Sequence, residues 1–284
     1  MSGKGGAGKT VVTAALASIV PDAVFCDNDV DAPDLHLILH PEIRENHLFE
    51  SGNIASIHAE LCTGCGICVQ FCRFNAIHIN QEGIYTVDPY SCEGCRLCER
   101  VCPEKAITSQ KNRNNSWFVS DTRFGPLVHA LMGPGEENSG KLVTRIRKKA
   151  RELAEKYGAS FIISDGPPGI GCPAIASITG TDQVVVVIEP SLSGLQDARR
   201  LIELTNTFKI PISAIINKSD LNLRITKKVK EYLKTEKIPL LGELHFSENV
   251  VKSIVNGKAI PEFMPESHMS RQFYSIRDQL MKSE

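Results

Sequence analysis

Hydrophobic residues along the chain alternate between helix-length and strand-length groups. The apolar, alanine-rich stretch Thr10 to Val20, closed by Pro21, predicts a helix. The run Ala23 to Cys26, which ends in acidic residues, predicts a short strand. A charged amphipathic helix is expected from about Leu142 to Tyr157, and strands at Phe161 to Ser164, Gln183 to Ile188, Ile212 to Ile216 and Leu240 to Leu244. Apolar strands separated by helix-sized segments imply a parallel sheet covered on both faces, an α/β layer architecture. Between the first strand and the amphipathic helix this alternation breaks. Cysteine-rich sequence fills Cys62 to Cys102, and a polar, glycine-punctuated stretch, Lys111 to Gly140, follows and reads as loop.

The cysteine-rich block is an internal repeat. Cys62-Thr-Gly-Cys65-Gly-Ile-Cys68-Val-Gln-Phe-Cys72, followed by Ala76-Ile77, returns as Cys92-Glu-Gly-Cys95-Arg-Leu-Cys98-Glu-Arg-Val-Cys102, followed by Ala106-Ile107. Each copy predicts a cysteine loop, a short helical turn and a strand-like run. The expected organisation is a discontinuous α/β domain, residues 1–54 and 112–284, with a small domain at 55–111 inserted in it.

Composition narrows the function classes. The 284 residues are 42% hydrophobic and 23% charged, enough apolar material for a core without disulfide staples. A formal net charge of −1 argues against a nucleic-acid partner or an anionic membrane surface. No apolar run approaches the roughly 18 to 20 residues of a membrane span. No secretory leader precedes the glycine-rich opening, so the expected compartment is the cytoplasm, where clustered cysteines hold metal rather than form disulfides.

The chain opens on Gly3-Lys4-Gly5-Gly6-Ala7-Gly8-Lys9-Thr10. Glycines let backbone wrap phosphate oxygens, the amides and the following helix N-terminus supply partial positive charge, and Lys9 supplies a full one. Thr10 is the expected Mg²⁺ ligand of such a loop. Two more features support nucleotide binding: the strand-end pair Asp27 and Asp29, and Phe161-Ile-Ile-Ser-Asp165-Gly-Pro-Pro-Gly169, a strand ending in a metal-ready aspartate. One requirement fails, since such a loop follows a buried strand and only Met1 and Ser2 precede Gly3. Either the natural start lies upstream or the fold lacks a central strand, its first strand being apparently missing; the intact remainder of the pattern favours a truncated or misassigned start.

The second lysine, Lys4, makes the loop resemble the deviant Walker A of the MinD/Mrp class of P-loop ATPases. Asp27-Asn-Asp29-Val-Asp31-Ala-Pro-Asp34 is similar to that family's switch I, and Asp165-Gly-Pro-Pro-Gly-Ile-Gly-Cys172-Pro to its switch II. The resemblance runs from Gly3 to about Phe263 and implies a P-loop NTPase sheet carrying an inserted, bacterial-ferredoxin-like α+β domain. It implies ATP/ADP held by Gly3 to Thr10, Mg²⁺ held by Thr10 and Asp165, and catalytic roles for Lys4, Lys9 and Asp29. In this reading Lys4 reaches a partner's phosphates across a face-to-face dimer, homodimeric or with a paralogous ATPase. Asp29 positions the attacking water, and Asn217 contacts adenine. For Asp27, Asp31 and Asp34, helix capping in a solvated loop stands as an equal alternative.

The two C-x₂-C-x₂-C-x₃-C runs resemble bacterial ferredoxins, in which the fourth cysteine of each run ligates the other cluster. Carried over, Cys62, Cys65, Cys68 and Cys102 hold one [4Fe-4S] cluster and Cys92, Cys95, Cys98 and Cys72 the second. Zinc competes less well, because its sites use separated C-x₂-C pairs. Arg73 stands where the second run has Pro103, a change expected to alter the first cluster's surroundings. Cys26 and Cys172 read as core thiols. Phe273, Ile276 and Leu280, at helical spacing, read as packing against the ATPase core rather than as a membrane-binding tail. The implied function is a nucleotide switch gating electron transfer to a redox or metallocluster partner. The alternatives are a cluster scaffold or carrier, and a positioning ATPase with structural clusters.

Overall fold

The computed structural model describes residues 1–50, 52–133 and 139–282. Chain order begins with α1 (Lys9–Ala17), β1 (Ala23–Asp27), α2 (Leu35–Leu39), β2 (Glu42–Phe49) and β3 (Asn53–Ile57). Next come α3 (Ile67–Phe71), β4 (Ile77–Ile79), β5 (Tyr85–Val87), α4 (Leu97–Val101), β6 (Ile107–Lys111), β7 (Asn115–Thr122) and β8 (Gly125–Leu131). The remainder is α5 (Ser139–Tyr157), β9 (Phe161–Asp165), α6 (Cys172–Ile178), β10 (Val184–Ile188), α7 (Leu192–Thr207), β11 (Ile212–Asn217), α8 (Leu223–Thr235), β12 (Leu240–Leu244), α9 (Glu248–Val255), α10 (Ile260–Phe263) and α11 (His268–Met281).

Backbone contacts divide the chain into two compact units. The first comprises Met1–Asn46, Phe118–Ala130 and the chain from Ser139 onward; the second is His47–Trp117 with the stretch that begins at Leu131. These divisions fall inside β2 and β7.

In the sheet order β2-β7-β8-β1-β9, β1 runs parallel to β8 (Phe25 opposite Leu127) and to β9 (Asp27 opposite Asp165). A three-stranded sheet, β10-β11-β12, is parallel throughout. The α/β architecture is as the hydrophobic pattern indicates, but the sheet is mixed. The stretch 111–140, read as loop, contains β7 and β8, joined by only Arg123 and Phe124, a connection short enough for an antiparallel hairpin. At the chain's first residues, Met1 pairs with β10, and Ser2 forms a parallel bridge with Pro168 beyond β9.

Two cores hold the first unit together. One packs α1, α2 and α11 against β1 and β8, with Phe25, Leu35, Leu127, Phe273 and Ile276 essentially inaccessible and Leu280 packed at its margin. The C-terminal helix is therefore a core element, as its helical spacing predicts. The other buries Val186, Ile188, Leu201, Ile216 and Val229 between β10, β11, α7 and α8. α11 is capped by Ser267, whose hydroxyl accepts from Ser270 N at 3.1 Å.

Arg123, at the tip of the β7–β8 hairpin, ties several segments together. Its guanidinium meets the Glu262 carboxylate through two contacts of 2.8 Å and donates to the carbonyls of Leu39 (2.9 Å), Ile38 (3.0 Å) and Gly257 (3.1 Å). Arg123→Ala strands three partly buried acceptors and a carboxylate. It is expected to lower unfolding free energy by about 2 to 4 kcal/mol in urea titrations, and a loss under about 0.5 kcal/mol would show that water replaces these contacts freely.

Candidate functional sites

The glycine-rich loop lies between Ser2 and α1. Its shape depends on glycine at two places: Gly6 and Gly8 have φ of 78° and 91°, and a Cβ on Gly8 would lie 2.2 Å from Asn217 Nδ2. No heavy atom lies within 4 Å of a Cβ built on Gly5 or Gly6, so that face of the loop is open to a ligand. Asn217, at the end of β11, donates from Nδ2 to the Ala7 carbonyl at 2.9 Å, and Lys218 Nζ donates to the Gly6 carbonyl at 3.2 Å. The residue assigned to adenine by resemblance thus braces the loop's backbone, together with a lysine that the sequence reading did not single out.

Charge converges at the C-terminal ends of β1 and β9. Asp165 is 1% exposed and accepts from Thr10 Oγ1 at 2.6 Å and Thr13 Oγ1 at 3.0 Å. Burial raises its pKa, opposed by the Thr10 hydrogen bond, the N-terminal amine, Lys9 and Thr13. Thr13, one helical turn beyond Thr10, went unrecognised although the i, i+3 spacing puts both hydroxyls on one face. Lys9 is only 6% exposed. Asp29 is pushed up to about 6, first by burial, with Lys9 opposing and Asp165 adding to the rise.

Asp27 is fully buried and accepts backbone N–H groups from Asp29 (3.1 Å) and Leu35 (3.2 Å); burial, then Asp165, drives its pKa well up. It organises the loop after β1. Asp34 occupies the α2 cap position without a side-chain cap bond, and it and Asp31 are exposed. Lys4 is exposed as well.

A buried ammonium beside two carboxylates, a hydroxyl–carboxylate pair at the helix start and an open glycine cradle fit a magnesium nucleotide. Thr10 and Asp165 are the residues that would hold the metal, and Gly3 to Thr10 those that would hold phosphates.

The second unit repeats itself in backbone as well as sequence. Gly64 and Gly66 (φ 71° and 72°) correspond to Gly94 and Arg96 (both 61°), and Asn75 (52°) to Lys105 (53°). Arg96 holds this left-handed conformation while its guanidinium engages Glu99 at 2.9 and 3.2 Å. Ala76 N–H donates to Cys72 Sγ at 3.4 Å, and Ala106 N–H to Cys102 Sγ at 3.3 Å. Antiparallel pairs β3–β6 and β4–β5 frame the unit.

One cavity of this unit is lined by Cys62, Cys65, Cys68 and Cys102, the set that the ferredoxin pattern assigns to the first cluster. Pro103, not Arg73, lines it too; Arg73 adjoins Cys72, assigned to the other cluster. Burial raises the thiol pKa of Cys68 and Cys98, a cost that an iron core offsets by binding thiolate. The donor set fits iron-sulfur clusters. Cys26 is fully buried, its thiol pushed up by burial and Asp27, and donates to Asn28 Oδ1 at 3.1 Å. Cys172, read as a core thiol, is instead exposed at the start of α6, because the switch II glycines lead the chain along the surface.

The fold and the two sites define a P-loop, ATP-binding ATPase fold carrying an iron-sulfur domain. Residues 55–109 match the family described as 4Fe-4S dicluster domain. The uncharacterized protein MJ0578 of Methanocaldococcus jannaschii is 34% identical over 227 residues, 78% of each chain. The septum site-determining protein MinD of Bacillus subtilis is 27% identical over 151 residues, 50% of this chain and 55% of that one. Among solved structures, MinD of Pyrococcus horikoshii complexed with Mg-ADP superimposes with a TM-score of 0.57 at 17% identity, covering 99% of this chain and 94% of that one. The chain belongs to the MinD family of P-loop ATPases, as a member with an inserted ferredoxin domain. No helix among the described residues is long and apolar enough to cross a membrane.

Proposed function

We propose that the protein hydrolyses ATP in a nucleotide-closed dimer and uses that cycle to gate one-electron transfer from two [4Fe-4S] clusters to a redox or metallocluster partner. The observation that carries this reading is the presence on one chain of both built sites: the Lys9, Thr10 and Asp165 cradle, and the cavity enclosed by Cys62, Cys65, Cys68 and Cys102. β2 and β7, which lead the chain into and out of the cysteine-bearing unit, belong to the sheet whose β1 and β9 end at Asp27 and Asp165.

Phosphoryl transfer asks for positioning and charge neutralisation more than covalent chemistry. Lys9 supplies a desolvated positive charge; Thr10 and Asp165 would hold Mg²⁺, which would neutralise phosphate charge. Asp29 would orient the attacking water and accept its proton. Exposed Lys4, with exposed Ile170, Ile175 and Leu192 on and beyond switch II, supports a face-to-face dimer, homodimeric or with a paralogous ATPase. Clusters held by these cysteines would supply one-electron chemistry, the electron lost by the cluster being gained by the acceptor.

The test uses anaerobically reconstituted, dithionite-reduced protein mixed with a one-electron acceptor. ATP is expected to change the reoxidation rate at least about tenfold relative to ADP, a barrier change of about 1.4 kcal/mol, and Lys9→Ala to remove that difference. An unchanged rate with every nucleotide would overturn gating, and ATP-dependent movement of iron to an apo-protein acceptor would replace it with cluster delivery.

A further inference from the structure

The loops that leave β11 and β12 meet beside the phosphate loop. Asn217 ends β11, and Lys218 follows it in the left-handed conformation (φ 56°), turning the chain toward Ser219 and Asp220. Ser219 N–H donates at 2.9 Å to the carbonyl of Leu244, the last residue of β12, and Phe246 N–H donates to Asp220 Oδ1 at 2.6 Å. These bonds hold residues 217–220 against residues 244–246 at the C-terminal edge of a parallel sheet, where α/β folds bind ligands.

The side chains of this turn are committed to different degrees. Asn217 Nδ2 donates to Ala7 O at 2.9 Å, and its Oδ1 accepts from Lys218 N at 3.0 Å. What remains is one Nδ2 hydrogen, which can meet only an acceptor, and purine N7 is an acceptor in adenine and guanine alike. Asn217 therefore cannot tell the two bases apart. Lys218 Nζ is taken up by Gly6 O at 3.2 Å and the Glu189 carboxylate at 3.8 Å, which leaves its four-carbon stem, rather than its charge, to cover a base.

Asp220 is different, because its carboxylate is exposed and keeps unused acceptor capacity. The Phe246 N–H fixes it through Oδ1, while two ionised oxygens offer about four lone-pair sites. The same N–H holds the acid below the usual carboxylate range, so it is ionised at neutral pH. Exposed Leu221 and Phe246 beside it add apolar surface of the kind a purine face covers. An ionised carboxylate only accepts hydrogen bonds. Guanine presents two adjacent donors on its Watson–Crick edge, N1–H and the 2-amino group, which match the two oxygens of one carboxylate. Adenine presents a bare N1 and a C–H there, so its lone pair would face the negative charge.

We propose that Asp220 reads the base of the bound nucleotide, and that the site takes guanine nucleotides as well as adenine ones, guanine the more tightly. The inference rests on the reading of Gly3 to Thr10 as a nucleotide cradle and adds the identity of the base to it. Guanine N1–H and its 2-amino group would donate to the Asp220 oxygens, Asn217 would reach N7, and the Lys218 stem would cover the ring. Asp220 acts on the base alone, so Lys9, Thr10 and Asp29 would treat either triphosphate in the same way.

The experiment titrates the anaerobically reconstituted full-length protein with the magnesium complexes of GTP, ATP, inosine triphosphate and xanthosine triphosphate, each followed by calorimetry. GTP is expected to bind at least about tenfold more tightly than ATP, with inosine triphosphate, which lacks the 2-amino group, between them. Asp220→Asn replaces one acceptor with a donor. It should lose the preference for GTP and bind xanthosine triphosphate at least about tenfold more tightly than the unaltered protein does, because the 2-oxo group accepts from the new amide while N1–H still finds an oxygen. A merely structural role for Asp220 would weaken all four nucleotides alike. The ranking on the unaltered protein tests the proposal independently of the variant. GTP binding no tighter than ATP, or an Asp220→Asn protein that gains nothing for xanthosine triphosphate, would overturn the assignment and leave the phosphate cradle standing. Failure to bind any of the four would overturn the cradle with it.

Discussion

A Cys62→Ala/Cys102→Ala protein is expected to keep about four irons per chain, while Cys62→Ala/Cys72→Ala is expected to keep almost none. Each single variant, Cys62→Ala, Cys72→Ala or Cys102→Ala, should fall from about eight irons to about four. The difference between the double variants comes from where the fourth cysteine of each run goes. Cys102, thirty-four positions beyond Cys68 in sequence, lines the same cavity as Cys62, Cys65 and Cys68. The repeat would make the exchange reciprocal: α3 and α4 precede Cys72 and Cys102, and each of these sulfurs accepts an N–H four residues on, from Ala76 and Ala106. Iron assay with visible absorption on anaerobic protein reads the result. If the Cys62→Ala/Cys72→Ala protein keeps a cluster and the Cys62→Ala/Cys102→Ala protein keeps none, ligation stays within each run and the shared cavity has been misread.

This unit was legible from sequence while parts of the ATPase were not. Cysteine spacing marks its candidate ligands directly, and the buried valine run of β10 reads as a strand. β2 hides because it is an edge strand with mostly exposed residues, so Glu42, Arg44 and Glu45 give it the composition of a loop. β7 and β8 hide for the opposite reason. They bury Asn115, Ser120 and His129, residue types usually found outside, and satisfy them internally: Ser120 Oγ lies 2.9 Å from His129 Nε2, and Asn115 Oδ1 accepts from Gly133 N at 2.9 Å. Burial also drops the His129 pKa to about 4, so the ring stays neutral beside Ser120 at ordinary pH. At the nucleotide site, motif residues Gly3 to Thr10 and Asp165 were readable because phosphate chemistry dictates their types. Thr13 and Lys218 were not, since their roles depend on which neighbours the fold brings within reach.

Asp29→Asn is expected to lower ATP hydrolysis by about 10² to 10⁴-fold while changing ATP affinity only a few-fold, because a group acting on the attacking water is used in the transition state rather than in binding. Lys9→Ala should behave differently and lose nucleotide binding together with turnover, since its buried ammonium would contact phosphate already in the ground state. The pH profile separates a catalytic carboxylate from a structural one. Burial raises Asp29 to about 6, and the carboxylate must be ionised to accept a proton, so kcat/KM should fall about tenfold per pH unit below about pH 6 and level off above it. In Asp29→Asn that limb disappears and the residual rate is flat. Asp165, deeper and bonded to Thr10 and Thr13, cannot produce the same pattern: Asp165→Asn disturbs the loop itself and should raise the ATP dissociation constant. A variant at Asp29 that retained its acid limb, or lost affinity and rate in equal measure, would move the general base elsewhere and leave Asp29 as a loop residue like Asp27. The two aspartates stand two residues apart but differ in what they face: Asp27 is fully buried against the amides of Asp29 and Leu35, while Asp29, beyond the strand end, keeps part of its carboxylate accessible beside Lys9.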